Sequence, residues 1–412
     1  MYEFKNFLGE KYNEFNSIVN DYINVHNNTI NMTACVSLPY KEVADIQSLP
    51  LWTLPTEGTV GKRYFPAFKS LDDIEIYGEE LTLKLFDLNK HDYAVSLQPN
   101  SGTQANQIVF NAILNDGDTV LSLSPKDGGH VSHSKLGCRN INVVYYNLDE
   151  NNILQMPLLK KLIITHKPKL VIVGGSSYPR EHRYKEISEI AHANGALLMA
   201  DICHSVLYII GKSHKPIFPY VDFATFTMDK TMRGPQGGII IYKNEFKKAI
   251  ELSVFPKTQG GPLQSLLFSK CMCLLKSTQC DMNKYSQDVI TNARIVCKVL
   301  SNNDIDIVSN GTDTHIVLID LRKYGLTGNV AETLLYQNKI LVNRNQIPND
   351  TKSAVVSSGI RIGLTPITNI GYQDNDVMVL AKCIADIIKR QSDCSQIINK
   401  LIKKYSNFNI SN

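Results

Sequence analysis

Seven short apolar runs between residues 93 and 242, parted by turns and helical stretches, constrain this chain more than any other feature. They are Tyr93–Leu97, Thr119–Leu123, Asn142–Tyr146, Leu170–Val173, Ala196–Met199, Phe223–Phe226 and Gly238–Tyr242. Helix-like runs lie among them, at Ile74–Phe86, Thr103–Leu114 and Tyr184–Asn194. Strands that are apolar along their whole length are buried on both faces, so the pattern calls for an α/β fold with a mostly parallel sheet under helices on both sides. A helical stretch over about 262–302 then leads to a second pattern from Asp304. It holds strand-like His315–Ile319, a helix near Asn329–Gln337 and the run Arg361–Gly363, and reads as a smaller α+β domain. At 412 residues the chain exceeds one ordinary core, in keeping with this division. The Lys-, Asn- and Ser-rich tail after about Asn399 is expected to fray.

Charge and cysteine usage exclude several classes of partner. A net charge of +4, without a dense basic stripe interleaved with aromatics, argues against nucleic acid. No apolar run is long enough to cross a bilayer. The opening Met1-Tyr-Glu-Phe-Lys-Asn6 does not read as a signal sequence. The nine cysteines are scattered, and Cys271-Met-Cys273 has no second pair at zinc-site spacing. Reduced thiols in a cytoplasmic protein, without a metal site, are the expectation.

In open α/β sheets, ligands bind beyond the carboxyl ends of the strands. Polar groups fall at several such ends. Lys230 follows a short apolar strand ending in Thr227 and precedes a Gly/Pro turn, which holds an amine at the mouth of a buried sheet. Once neutral, such an amine forms a Schiff base with an aldehyde. Asn100-Ser-Gly-Thr-Gln104 opens a helix, where amides and hydroxyls suit a phosphate. Asp201 follows Ala196–Ala200, His204 lies one turn on, and Ser176 follows Val171–Gly175. A phosphate cradle, a carboxylate and a lysine are what pyridoxal 5'-phosphate requires.

Longer collinear segments carry a specific resemblance. They are Glu57-Gly58 with Gly61-Lys-Arg-Tyr64, Ser101-Gly-Thr-Gln-Ala-Asn106, Gly128-Gly-His-Val-Ser-His133, Ser176-Ser-Tyr-Pro-Arg180, Lys230-Thr-Met-Arg-Gly-Pro235, Gln259-Gly-Gly-Pro262, Leu326-Thr-Gly328, Pro348-Asn-Asp350 and Ser358-Gly-Ile-Arg-Ile-Gly363. Together with Asp201 and His204, they make the chain resemble the serine hydroxymethyltransferase family, enzymes of the aspartate-aminotransferase fold (fold type I). That resemblance implies a large pyridoxal-phosphate domain over 61–285, a small C-terminal domain over 286–412 and an N-terminal helical arm over 1–60. It implies that Lys230 carries the cofactor, that Ser101, Gly102 and Thr103 hold its phosphate, and that His130 stacks on its ring. Asp201 is to pair with the ring nitrogen, with Ser176 and His204 at the ring oxygen and Thr227 beside them. A homodimer with shared sites is implied, Gly260 and Gly261 completing the neighbour's phosphate site and Glu57 and Tyr64 acting on the neighbour's substrate. Arg361 is to clamp the amino-acid carboxylate, and His133 to stand behind the site. Glu57, Gly128, Gly129 and Asn345 are the positions implied for tetrahydrofolate.

The outer shell departs from the family pattern. Asp229 stands where histidine is usual before the lysine, and Tyr64-Phe65 replaces a tyrosine pair. Pro55 replaces a tyrosine, Cys35-Val-Ser37 replaces Ser-Glu-Asn, and Lys257-Thr258 replaces Gly-Gly. Pro125 and Val131 stand where leucines usually flank the folate. The resemblance implies making or breaking a bond at Cα of a small amino acid of the glycine, serine or threonine type. Altered polarity near the substrate also keeps open a folate-independent aldolase, transaldolase, racemase, oxidative or decarboxylating relative. A non-catalytic binding protein is the remote third reading.

Overall fold

The computed structural model describes residues 12–405 except 53, 67 and 135–139. The chain divides into two units, Pro39–Asp288 and, together, Met1–Leu38 with Val289–Asn412. The larger is built on a sheet of seven strands. These are Tyr93–Ser96 (β1), Thr119–Leu123 (β2), Asn142–Tyr146 (β3), Leu170–Val173 (β4), Leu197–Asp201 (β5), Phe223–Thr227 (β6) and Gly238–Lys243 (β7). Their spatial order is β1-β7-β6-β5-β4-β2-β3. Strand β7 pairs antiparallel with both of its neighbours, and the remaining pairs are parallel. Every residue of β4 and β6 is buried, as near-continuous apolar runs require.

The helix Gly102–Ile113 (α2, following Lys69–Leu85 as α1) shows how the sequence sets this layer. Ser101 caps it, its Oγ accepting from Gln104 N at 3.0 Å. Ala105, Ile108 and Val109, spaced by three and four residues, are then wholly buried against strand residues including Ile172, Met199 and Ile240. Ile108 and Val109, fully buried, each contribute about 1.5–3 kcal/mol relative to exposure. The helical stretch at 262–302 is two helices, Gln264–Gln279 (α3) and Met282–Asn302. Cys280 leaves helical geometry at ψ 153°, and Asp281 starts the second helix by accepting from Lys284 N at 2.8 Å.

In the smaller unit, Asp306–Ile307 (β8), Ile316–Asp320 (β9), Asn343–Asn345 (β10) and Gly359–Gly363 (β11) form an antiparallel sheet in the order β8-β9-β11-β10. Ile360 and Ile362 enter the core with Val317 and Ile319. Arg361 alternates with them and stands between Leu318 and Asn343 on the adjoining strands. The expected fray after Asn399 does not begin there. The helix Ser395–Tyr405 continues past it, anchored by buried Ile398 and Leu401. Residues beyond 405 lie outside the described ones.

Candidate active site

Because β7 alone is reversed, its first residue Gly238 pairs with Thr227, the last residue of β6. The segment between them carries Lys230. Strands β1, β4, β5 and β6 end on the same rim, and the residues that follow them converge on one pocket. Ser101, Gly102 and Thr103 line it from the start of α2, and Ser176 from the loop after β4. Asp201, His204, Thr227 and Lys230 line it from the ends of β5 and β6, and His130 from the loop after β2. These nine expected cofactor residues are thus brought together. The Nζ of Lys230 lies 3.1 Å from Nε2 of His204.

Asp201 has the most particular surroundings. Its Oδ2 accepts from His133 Nε2 and from Asn106 Nδ2, each at 2.8 Å, and its Oδ1 accepts from Cys203 N at 3.1 Å. Burial by itself would raise its pKa. The hydrogen bond and charge of His133, the charge of His130 and the Cys203 bond outweigh that and hold the carboxyl well below the usual carboxylate range. Asn106 is in turn fixed by Thr225 Oγ1, which donates to its Oδ1 at 2.6 Å. His130 Nδ1 lies 2.7 Å from Ser132 Oγ. Burial followed by the Asp201 charge pushes the Cys203 thiol up, which keeps it from serving as a nucleophile.

The pocket suits a phosphorylated pyridine aldehyde. The first turn of α2 carries no acidic residue. The N–H groups of Gly102 and Thr103 have no acceptor within the helix, which leaves a positive helix end for an anion. The same pocket holds a carboxylate kept ionised, matched to a pyridinium, and an amine matched to an aldehyde.

Other expected site residues lie elsewhere. Glu57, Tyr64, Gly260 and Gly261 do not line this pocket. Glu57 and Tyr64 belong to a hairpin formed by Gly58–Thr59 and Lys62–Arg63, where Tyr64 N donates to Glu57 O at 3.2 Å. Arg63 ties that hairpin to α1 through Asp72 Oδ1 at 2.8 Å and through Glu75. A Cβ on Gly261 would fall 3.0 Å from Glu57 N and closer still to Thr56 Oγ1, so the 259–262 turn packs on the same feature. Tyr64 is 72% exposed, and its ring centroid lies 5.4 Å from that of Phe255. Gly128, at φ +101°, accepts at its carbonyl from Ser176 N at 2.7 Å. Gly129 presses on Leu123 O, where a Cβ would sit at 2.1 Å. In the smaller unit, Arg361 is buried and donates from Nε to Asn343 Oδ1 at 3.2 Å. Burial lowers its pKa, and the nearby Cys35 acts in the opposite sense. Asn345 ends β10.

The family model for serine hydroxymethyltransferase matches residues 8–384 of the chain. The chain belongs to the serine hydroxymethyltransferase family. It is similar to the serine hydroxymethyltransferase of Prochlorococcus marinus (strain MIT 9515), with 38% identity over 382 residues, which cover 92% of this chain and 89% of that protein. The serine hydroxymethyltransferase of Bordetella avium (strain 197N) is 36% identical over 358 residues, covering 86% and 85%. Serine hydroxymethyltransferases are pyridoxal-phosphate-dependent transferases of amino-acid and one-carbon metabolism, a family that also uses tetrahydrofolate, and this chain is by family a pyridoxal-phosphate-dependent transferase. The resemblance read from the motifs and the fold class both hold.

Sequence reasoning gave no separate role to Asn106, Ser132, Thr225 and Cys203, which surround Asp201 and His130. Asn106 lies four residues after Gly102 on α2, and Thr225 two before Thr227 on β6. Helical and strand periods therefore put each on the same face as an expected site residue, and that is the signal that could have found them. Asp229, noted earlier only as a departure, also lines the pocket and accepts from Thr227 Oγ1.

Proposed function

We propose that this chain is a working hydroxymethyltransferase that makes or breaks a bond at Cα of glycine or serine, with tetrahydrofolate as the one-carbon carrier. The observation that carries this reading is one pocket in which Lys230 Nζ lies 3.1 Å from His204 Nε2, beside the ionised Asp201 and the open first turn of α2. Pyridoxal phosphate, when bound, supplies an aldehyde and an electron-accepting ring. Ser101, Gly102 and Thr103 hold its phosphate. Asp201 would keep a proton on the ring nitrogen, and His130 would stack on the ring. Lys230 would supply the amine, and His204 Nε2, 3.1 Å from it, would take and return its proton. Ser176 and His204 would sit at the ring oxygen, with Thr227 beside them. Arg361 offers a planar fork to the substrate carboxylate.

Glu57, Tyr64, Gly260 and Gly261 group away from the pocket of their own chain, which supports a homodimer in which they complete the second copy's site. There Glu57 exchanges a proton with the substrate side chain, Tyr64 flanks it, and Glu57, Gly128, Gly129 and Asn345 serve the folate. Among the described residues no helix is long and apolar enough to cross a membrane, and the location proposed for the enzyme is the cytoplasm. The expected domain divisions at 60 and 285 stay part of this reading.

The test is visible absorption of the purified protein, first with glycine and then with tetrahydrofolate. A long-wavelength band that grows with glycine and grows strongly with folate is the expected result. A second reading, a folate-independent relative, is favoured by Asp229 in the pocket wall and by Phe65 beside Tyr64. A glycine spectrum indifferent to tetrahydrofolate would select it.

A further inference from the structure

Lys270 is anomalous for its place in the fold. It lies on α3 among buried Leu266, Leu267, Cys271 and Leu274 and is itself 1% exposed. A lysine is almost never buried so fully without a partner. Its Nζ donates to three backbone carbonyls, Leu97 O at 2.7 Å, Pro99 O at 2.6 Å and Gly238 O at 3.0 Å. An ammonium has three N–H donors, so these acceptors use all of them. Burial pushes the Lys270 pKa down to about 7, with Cys271 and Glu75 acting in the opposite sense. Carbonyls facing Nζ favour its charged form.

The three acceptors come from the ends of two strands, β1 and β7, that pair in the sheet. Leu97 and Pro99 belong to the segment leaving β1, and Gly238 opens β7. That segment leads directly to Ser101. Gly238 N also donates to Pro99 O at 2.9 Å, and a Cβ on Gly238 would lie 2.3 Å from Ser101 O. One residue earlier, a Cβ on Gly237 would lie 2.3 Å from Lys270 Cε. The Gly237-Gly238 pair therefore makes room for the lysine on one side and for the Ser101 peptide on the other.

We propose that Lys270 is a positioning residue for the phosphate-holding turn: its ammonium ties the Leu97–Asn100 segment to Gly238 and so sets where Ser101, Gly102 and Thr103 meet the cofactor phosphate. This rests on the pyridoxal-phosphate reading of the pocket. Lys270 does not line the pocket and acts through the turn alone. Its loss therefore weakens what the turn grips, the phosphate, and spares what Lys230 grips, the aldehyde.

The experiment titrates full-length apoprotein with pyridoxal 5'-phosphate and, separately, with pyridoxal, which has the aldehyde without the phosphate. Wild type and Lys270→Met are compared at a temperature where circular dichroism shows both folded. In Lys270→Met, affinity for pyridoxal 5'-phosphate is expected to fall about tenfold or more, the scale of a displaced charged hydrogen bond, while affinity for pyridoxal holds within about twofold. Equal loss for both compounds, the mark of a merely structural lysine, overturns the proposal, and so does no loss for either. Gly237→Ala, which keeps the lysine and crowds its Cε, serves if Lys270→Met does not fold. The same selective loss is expected there, and an unchanged preference between the two compounds overturns the proposal. Wild-type apoprotein that binds neither compound overturns the functional reading itself, a result distinct from failure of the Lys270 role.

Discussion

Asp201 stays ionised although buried because His133, Asn106 and the Cys203 amide all donate to it. Its folded pKa lies below that of the unfolded chain, about 3.9 for an ordinary aspartate. The stability it contributes is therefore fully present above that value and lost as pH falls through the folded pKa. Asp201→Asn should flatten this acid limb, so urea unfolding of wild type and variant should differ most near neutral pH and converge in acid. The same variant should lose turnover on the order of 10²-fold, as when one preorganised electrostatic contact is removed, which steady-state cleavage of serine would measure. Lys230→Ala should abolish turnover and the cofactor's Schiff-base absorption while leaving the far-ultraviolet circular dichroism unchanged. Turnover at the wild-type rate would remove Lys230 from its role.

The helix α2 joins two functions at its first turn, since Ser101 both caps it and faces the pocket. Ser101→Ala should cost about 1 kcal/mol of stability from the lost cap and also weaken pyridoxal-phosphate binding. Thermal unfolding of apoprotein isolates the first effect and cofactor titration the second. This element was legible because an apolar strand, a polar turn and a helix start are local signals. The same holds for Asp201 and Lys230, which lie at or just beyond the ends of apolar runs, although β5 extends past the run expected. Lys270 was not legible as anything but a residue of a helical stretch, because its partners are carbonyls at positions 97, 99 and 238, far away in sequence. Chain separation of that kind leaves no periodic trace. Asn106 was quoted within a motif, but its hydrogen bonds to Ser132 and Asp201 arise only once β5 and the loop after β2 converge.

At the scale of the whole molecule, the separation of Glu57 from the pocket of its own chain makes a second copy testable. Glu57→Gln and Lys230→Ala should each be inactive alone. Mixed, unfolded and refolded together, they should regain activity, because one pocket of the hybrid has an intact lysine and receives an intact glutamate. No recovery, with hybrid formation verified by mass, would place Glu57 in its own chain's site. The reversed strand β7 carries a consequence for the lysine itself. Thr227 and Gly238 are partners on one rung of the sheet, so the span bearing Lys230 is a closed loop with both feet on the same rung. The amine is thus carried on a span fixed at both ends, 3.1 Å from His204 Nε2. Such a tether leaves little room for added length, and family members with an insertion in this span would be expected to have surrendered the lysine's chemistry.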